Sequence, residues 1–233
     1  MKLLKGNLAN IPLIALVCAN MFPIYGAAFL GWDAFTIVLL YWAENLIIGF
    51  YNILKMVFAQ FSNPIEYIGR LFPTAFFIVH YSGFVAVHGL FIFTLFHKDG
   101  VGGVMNIGGH PWPCFLVFVQ LLFNVIRHGW LTLPNGTKYA VGMLFLSHGV
   151  SFVHNYIMGG EYKTSTVNAI MFQPYGRIIV MHVAILGGGL LSVKMGSPVG
   201  VLLVLIILKT IIDVKFHLRQ HLAVYPVCQW QRK

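Results

Sequence analysis

Glu44, Asp213 and five histidines, His80, His88, His148, His154 and His182, stand inside long apolar runs, with His217 near the end of the last run. Burying a charge in hydrocarbon costs about 2.5–3.5 kcal/mol even on the lenient insertion scale, so such side chains face a protein interior or a wet cavity. The other acids, Asp33, Glu66, Asp99 and Glu161, fall in loops or at the ends of those runs. Imidazoles and a carboxylate at one level are ligands for Zn²⁺ or a related divalent metal, and a catalytic site uses three of them and leaves a position for water. The expected ligand set is His154, His182 and Asp213, with His80 as a fourth. Glu44 is the expected general base or outer partner, and Ser151 the group that polarises a bound water or a substrate carbonyl. Metal-bound water has a pKa of about 7, so hydrolysis of a lipid amide or ester becomes feasible inside a membrane.

Spacing gathers these residues into seams. Lys209, Asp213 and His217 recur every four residues, which stacks them on one helix face. Ser147, Ser151 and His154 share a stripe, and His148, Ser151 and Asn155 an adjoining one. Asn45 and Asn52 are seven apart and Glu44 and Lys55 eleven apart, so each pair is expected on a common face. A lone histidine in a membrane helix is more often a helix-to-helix hydrogen-bonding residue than a ligand. The sequence has no HExxH and no GxSG, since "GVSFVH" at 149–154 lacks the last glycine. Serine intramembrane proteolysis and soluble-type zinc proteolysis are therefore disfavoured.

Readings from other classes stand beside the hydrolase. Haem would need one histidine on each of two helices, for example His80 or His88 with His148 or His182. A proton or ion path would use Glu44, Lys55, Lys209, Asp213 and the histidines, as intramembrane ionisable groups commonly do. A structural or accessory subunit would use the same seams only to join helices.

The elements that position these residues follow from composition. The chain is 58% hydrophobic and only 9% charged, with a mean hydropathy of +0.80, which excludes a soluble fold of this length. The expectation is an all-α, polytopic transmembrane helical bundle forming one integral membrane domain over 1–233. A crossing helix needs roughly 20 apolar residues, and about 9–31, 35–58, 72–96, 138–159, 174–195 and 198–221 qualify. The run 113–133 carries Gln120, Asn124, Arg127 and His128, and is either a seventh span or an additional interfacial, amphipathic helix.

Basic residues accumulate on the cytoplasmic side. If 113–133 does not cross and the N-terminus is inside, Lys55, Arg70, Lys163, Arg177 and both basic termini are inside, with Lys98, Arg127, Lys138 and Lys194 outside. Six spans are therefore favoured over seven. In that orientation Asn52, His80, His154, His182, Asp213 and His217 share the cytoplasmic half, with Glu44, His148 and Lys209 near the middle. The excess of 15 Lys and Arg over 6 Asp and Glu sets orientation and touches anionic lipid, with no nucleic-acid role. Cys18, Cys114 and Cys228 match no disulfide or metal pattern and are expected in core or tail positions. Expected partners are membrane lipids, with a lipid substrate or a second protein chain as further possibilities.

The second run carries Tyr41, Trp42, Glu44, Asn45, Gly49, Asn52 and Lys55, read as YWxENxxxGxxNxxK. This pattern resembles the hallmark of a family of prokaryotic multi-pass membrane proteins catalogued as a domain of unknown function. The later histidine-bearing runs and the aspartate of the last one look similar too, so the resemblance covers most of the chain. It implies a bacterial or archaeal location, in the cytoplasmic membrane, and brings no activity with it. Polytopic lipid amidases with an intramembrane zinc have a comparable ligand inventory, but their ordered motifs are not reproduced here.

Overall fold

The computed structural model describes residues 25–26, 29–60, 64–97, 100–105 and 110–195. The chain divides into two units, residues 1–34 with 187–233 and residues 35–186, and most described residues belong to the second. The expected spans 198–221 and most of 9–31 lie outside the described residues. Those described contain helices and no strand: α1 Ala34–Phe58, α2 Pro64–Gly69, α3 Leu71–Phe96, α4 Leu116–Thr132, α5 Asn135–Ser151, α6 Val167–Phe172 and α7 Tyr175–Met195. A π-helical stretch, Phe152–Met158, continues α5, and a short 3-10 turn covers Glu161–Lys163.

Among the described residues, three runs are long and apolar enough to cross a membrane: Ala34–Phe58, Tyr67–Phe96 and Val167–Gly188. At 1.5 Å per residue a 25-residue helix such as α1 is about 37 Å long, against a hydrocarbon core of about 30 Å. The expected span 138–159 takes the form of α5 and its π-helical continuation, where the Gly159 N–H reaches the His154 carbonyl at 2.9 Å. A π-turn inside a helix commonly marks a functional site.

Contacts fix the direction of each helix. α3 runs antiparallel to α1, because Phe93 meets Phe35 while Tyr81 meets Asn45. The α5 and π-helical run is parallel to α1, since Phe145 lies against Tyr51 and Phe152 against Phe58. α7 is parallel to α3, with Tyr175 beside His80 and His182 beside His88.

α4 falls within the run 113–133. It has 17 residues, about 25 Å, and runs parallel to α3: Phe118 lies against Gly83 and Val125 against Gly89. Two consecutive parallel helices require the chain between them to double back. The returning segment passes His128 at Gly103 and Gln120 at residues 110–112, then reverses at Cys114, whose φ of 49° is in the left-handed region. Cys114 thus occupies an exposed turn rather than a core or tail position. Gln120 explains why a polar residue stands in this apolar run. Its Oε1 accepts from the Trp112 N–H at 2.7 Å and its Nε2 donates to the His110 carbonyl at 3.1 Å. It thereby supplies partners to backbone that has no regular structure of its own.

The run 167–188 is also interrupted. α6 is N-capped by Thr166, whose hydroxyl accepts from the Ala169 N–H at 3.3 Å, and it stops at Gln173–Pro174 before α7 begins at Tyr175. Proline cannot supply the amide that a continuous helix needs there, although Gln173 before it keeps right-handed helical geometry, φ −52° and ψ −45°.

Candidate polar site between the apolar helices

One face of α1 meets the interrupted run α6–α7. Asn52 Nδ2 donates to the Ile170 carbonyl at 2.9 Å, Asn45 Nδ2 donates to Tyr41 O at 2.9 Å and Met181 Sδ at 3.4 Å, and Glu44 Oε1 lies 3.5 Å from the Arg177 guanidinium. Arg177 was expected at the cytoplasmic end. Instead it reaches Glu44 in the body of α1, because α7 starts only two residues earlier, halfway along its neighbours. Its signal in the sequence is that 167–188 contains no other Lys, Arg, Asp or Glu, so it is the basic residue of that run able to neutralise a buried carboxylate.

Glu44 pairs with Arg177, while Lys55 packs on Tyr156. Lys55 Nζ lies 5.6 Å from the ring centre of Tyr156, whose hydroxyl donates to the Lys55 carbonyl at 2.6 Å. A cation over a tyrosine face is attracted by the ring quadrupole.

Tyr81 closes the seam from α3. It is buried, and its hydroxyl donates to the Asn45 carbonyl at 2.8 Å. Gly49 makes room for its ring, since a Cβ at that position would collide with it. Asn45 is itself buried, and its Oδ1 meets no donor among the described residues. The amide orientation is fixed by chemistry: the Tyr41 carbonyl can only accept, so the nitrogen faces it. A buried acceptor without a donor is costly unless water, a proton or a cation supplies one.

Further along α3, the buried His88 bridges to α7. Its Nδ1 lies 2.6 Å from the Phe84 carbonyl and its Nε2 lies 2.9 Å from His182 Nδ1. A carbonyl only accepts, so His88 carries its proton on Nδ1 and, when neutral, a lone pair on Nε2. His182 then donates from Nδ1 and presents a lone pair on its own Nε2. The pair has a defined polarity, running from the exposed His182 ring to the buried His88 ring.

The other expected site residues have separate surroundings. His80 Nδ1 is 2.8 Å from the Tyr175 hydroxyl, eight positions before His88, so His80 and His182 do not share a level. His154 Nδ1 is 3.0 Å from Asn155 Oδ1, and Asn155 Nδ2 donates to Ser151 Oγ at 3.2 Å, so the predicted Ser151–His154 stripe exists as a chain through Asn155. His148 stacks near Tyr51 with ring centres 6.5 Å apart. Among the described residues no three His, Cys, Asp or Glu side chains gather in a way that would hold a metal ion. Asp213, Lys209 and His217 lie outside the described residues. Arg177, Tyr81 and Tyr175 are the participants that sequence reasoning did not single out.

Helices throughout the described residues, three of their runs long and apolar enough to cross a membrane, are consistent with a membrane protein. Residues 2–226 match the family model described as a family of unknown function, DUF6498, and the chain belongs to that family. No curated protein and no solved structure matches it.

Proposed function

We propose that this chain is a multi-pass protein of a prokaryotic cytoplasmic membrane, with six spans, and that its polar seam passes protons across the middle of the membrane. The observation that carries the reading is the His88–His182 pair, whose polarity is set by the Phe84 carbonyl. A proton arriving at His182 Nε2 releases the one on Nδ1 to His88 Nε2, and the charge moves one ring inward. The Glu44–Arg177 pair and Asn45 Oδ1, which meets no donor among the described residues, extend the seam along α1.

Two features of the backbone support this reading. Irregular backbone at membrane depth is tolerated only where it is enclosed by protein or lines a wet cavity. Here the chain doubles back before α4 and breaks at Gln173–Pro174, both beside the middle of α3. The doubling back also supports six spans, because a segment that returns along α3 and is followed by α4 parallel to α3 makes no net crossing. The test is proton flux into liposomes holding the purified chain under an imposed pH gradient: flux is expected in the wild type and is lost in His182→Ala.

A second reading, a zinc-dependent hydrolase of a lipid amide or ester, is favoured by one detail. A histidine that ligates a metal almost always has its other nitrogen held by a hydrogen bond, and His88 holds His182 in that manner. His80 and His154 stand apart from His182, so Asp213, outside the described residues, would have to supply the remaining ligation, with Glu44 and Ser151 as catalytic groups. Elemental analysis of purified protein tests it: about one zinc per chain, lost in His182→Ala, supports the hydrolase, and one iron would indicate haem.

A further inference from the structure

Asn45 stands in the middle of α1 with 8% of its surface exposed, and almost all of its hydrogen-bonding capacity is assigned. Its side-chain amide has two N–H donors and one oxygen with two lone pairs. Nδ2 donates to the Tyr41 carbonyl at 2.9 Å and to Met181 Sδ at 3.4 Å. Both partners only accept, so turning the amide over would set its oxygen against a carbonyl and a thioether. The Asn45 backbone carbonyl accepts from the Tyr81 hydroxyl at 2.8 Å. Oδ1 is what remains, buried and with no donor among the described residues.

The surroundings decide what can meet that oxygen. Buried polar groups are satisfied by protein or by ordered water, because an unpaired one forfeits its hydration for nothing. A metal ion needs several ligands around it, and among the described residues no three His, Cys, Asp or Glu side chains gather for one. The group facing the Asn45 amide from α7 is the Met181 thioether, a soft ligand that hard cations do not select. A water molecule brings two donors and asks for a polar place. The seam is polar on both sides of Asn45: Glu44 precedes it on α1 and pairs with Arg177, and His182 follows Met181 on α7 and pairs with His88.

We propose that Asn45 Oδ1 holds a buried water molecule where the seam passes from the Glu44–Arg177 pair to the His88–His182 pair. The water donates one hydrogen to Oδ1 and keeps a second hydrogen and two lone pairs for the rest of the seam. Asn45 needs this donor whether or not protons pass, so the site stands independently of proton transfer. Where protons do pass, the water is a carrier between the two pairs.

The test is X-ray footprinting of the full chain in detergent. A short pulse splits water into hydroxyl radicals where each molecule stands, so a buried side chain is oxidised only when a water lies against it. Two methionines make the comparison: Met181, 6% exposed and in contact with the Asn45 amide, and Met56, 0% exposed on the same helix as Asn45. Sulfoxide is read by peptide mass spectrometry, with the exposed Met143 reporting the bulk radical dose. Met181 is expected to oxidise several-fold faster than Met56, and to fall to the Met56 rate in Asn45→Leu, which keeps the volume and removes the acceptor. Protection of Met181 equal to that of Met56 in the wild type overturns the proposal, and that comparison needs no variant to fold. So does an unchanged Met181 rate in a folded Asn45→Leu protein, since water would then reach the sulfur without the amide.

Discussion

Glu44 on α1 and Arg177 near the start of α7 form an ion pair 133 residues apart in sequence, with Oε1 and the guanidinium nitrogen 3.5 Å apart. The Glu44 side chain is 13% exposed and the Arg177 side chain 36%. The carboxylate is therefore the partner that depends more on the pair. Arg177→Gln and Glu44→Gln are each expected to destabilise the protein by about 1.5–3 kcal/mol, the range for hydrogen bonds to charged groups. The double variant should recover part of that loss. Unfolding in detergent, analysed as a double-mutant cycle, reads the coupling directly, and additive losses would mean that the two side chains do not interact.

The histidine pair makes a spectroscopic prediction. With both rings neutral, His88 and His182 should carry their protons on Nδ1, because the Phe84 carbonyl fixes the first and the first fixes the second. Nitrogen-15 shifts of labelled histidines distinguish the two tautomers. A proton on His88 Nε2 would contradict the inward polarity of the relay.

Gln120→Leu keeps the volume and apolar character of α4 but removes both hydrogen bonds to residues 110 and 112. An unpaired backbone group costs about 1–3 kcal/mol when buried, and the loss here should concentrate in the segment that doubles back. The expected result is faster maleimide modification of Cys114 in the variant, with α1 and α3 unchanged by hydrogen exchange. Equal rates would show that Gln120 does not hold that turn.

Gly49→Ala should cost about 1–3 kcal/mol, the usual penalty of overpacking, since the new methyl group meets the Tyr81 ring. Displacing that ring also breaks its bond to the Asn45 carbonyl. Gly49→Ala combined with Tyr81→Leu should be milder than the glycine change alone, as measured by thermal unfolding.

Much of the seam was legible in the motif YWxENxxxGxxNxxK, because helical periodicity alone puts its polar residues on shared faces. The structure gives most of them a duty. Trp42 Nε1 donates to the Val85 carbonyl at 2.7 Å, Glu44, Asn45 and Asn52 face the interrupted run, Gly49 receives Tyr81, and Lys55 lies over Tyr156. The opposite partners were not legible, since no periodicity states which helix lies alongside. Arg177 was read as a loop charge because the expected span began at 174; that α6 before it also lies alongside α1, with Asn52 on the Ile170 carbonyl, is what carries Arg177 inward, and that contact is not local. Gln120 made 113–133 ambiguous for a similar reason: its partners, at residues 110 and 112, are close only after the chain reverses at Cys114. The long apolar runs were legible because length and hydropathy are local properties.

The central claim is that the seam between α1, α3 and α7 moves protons, and flux through the reconstituted protein tests it most directly. Liposomes enclosing a pH-sensitive dye are given a pH gradient, with valinomycin and potassium to clamp the membrane potential. Wild-type protein is expected to collapse the gradient several times faster than empty liposomes. His182→Ala is expected to bring the rate back to the empty-liposome level while the protein stays folded and monodisperse. A wild-type rate equal to that of empty liposomes, or an unchanged rate in the variant, would contradict the account.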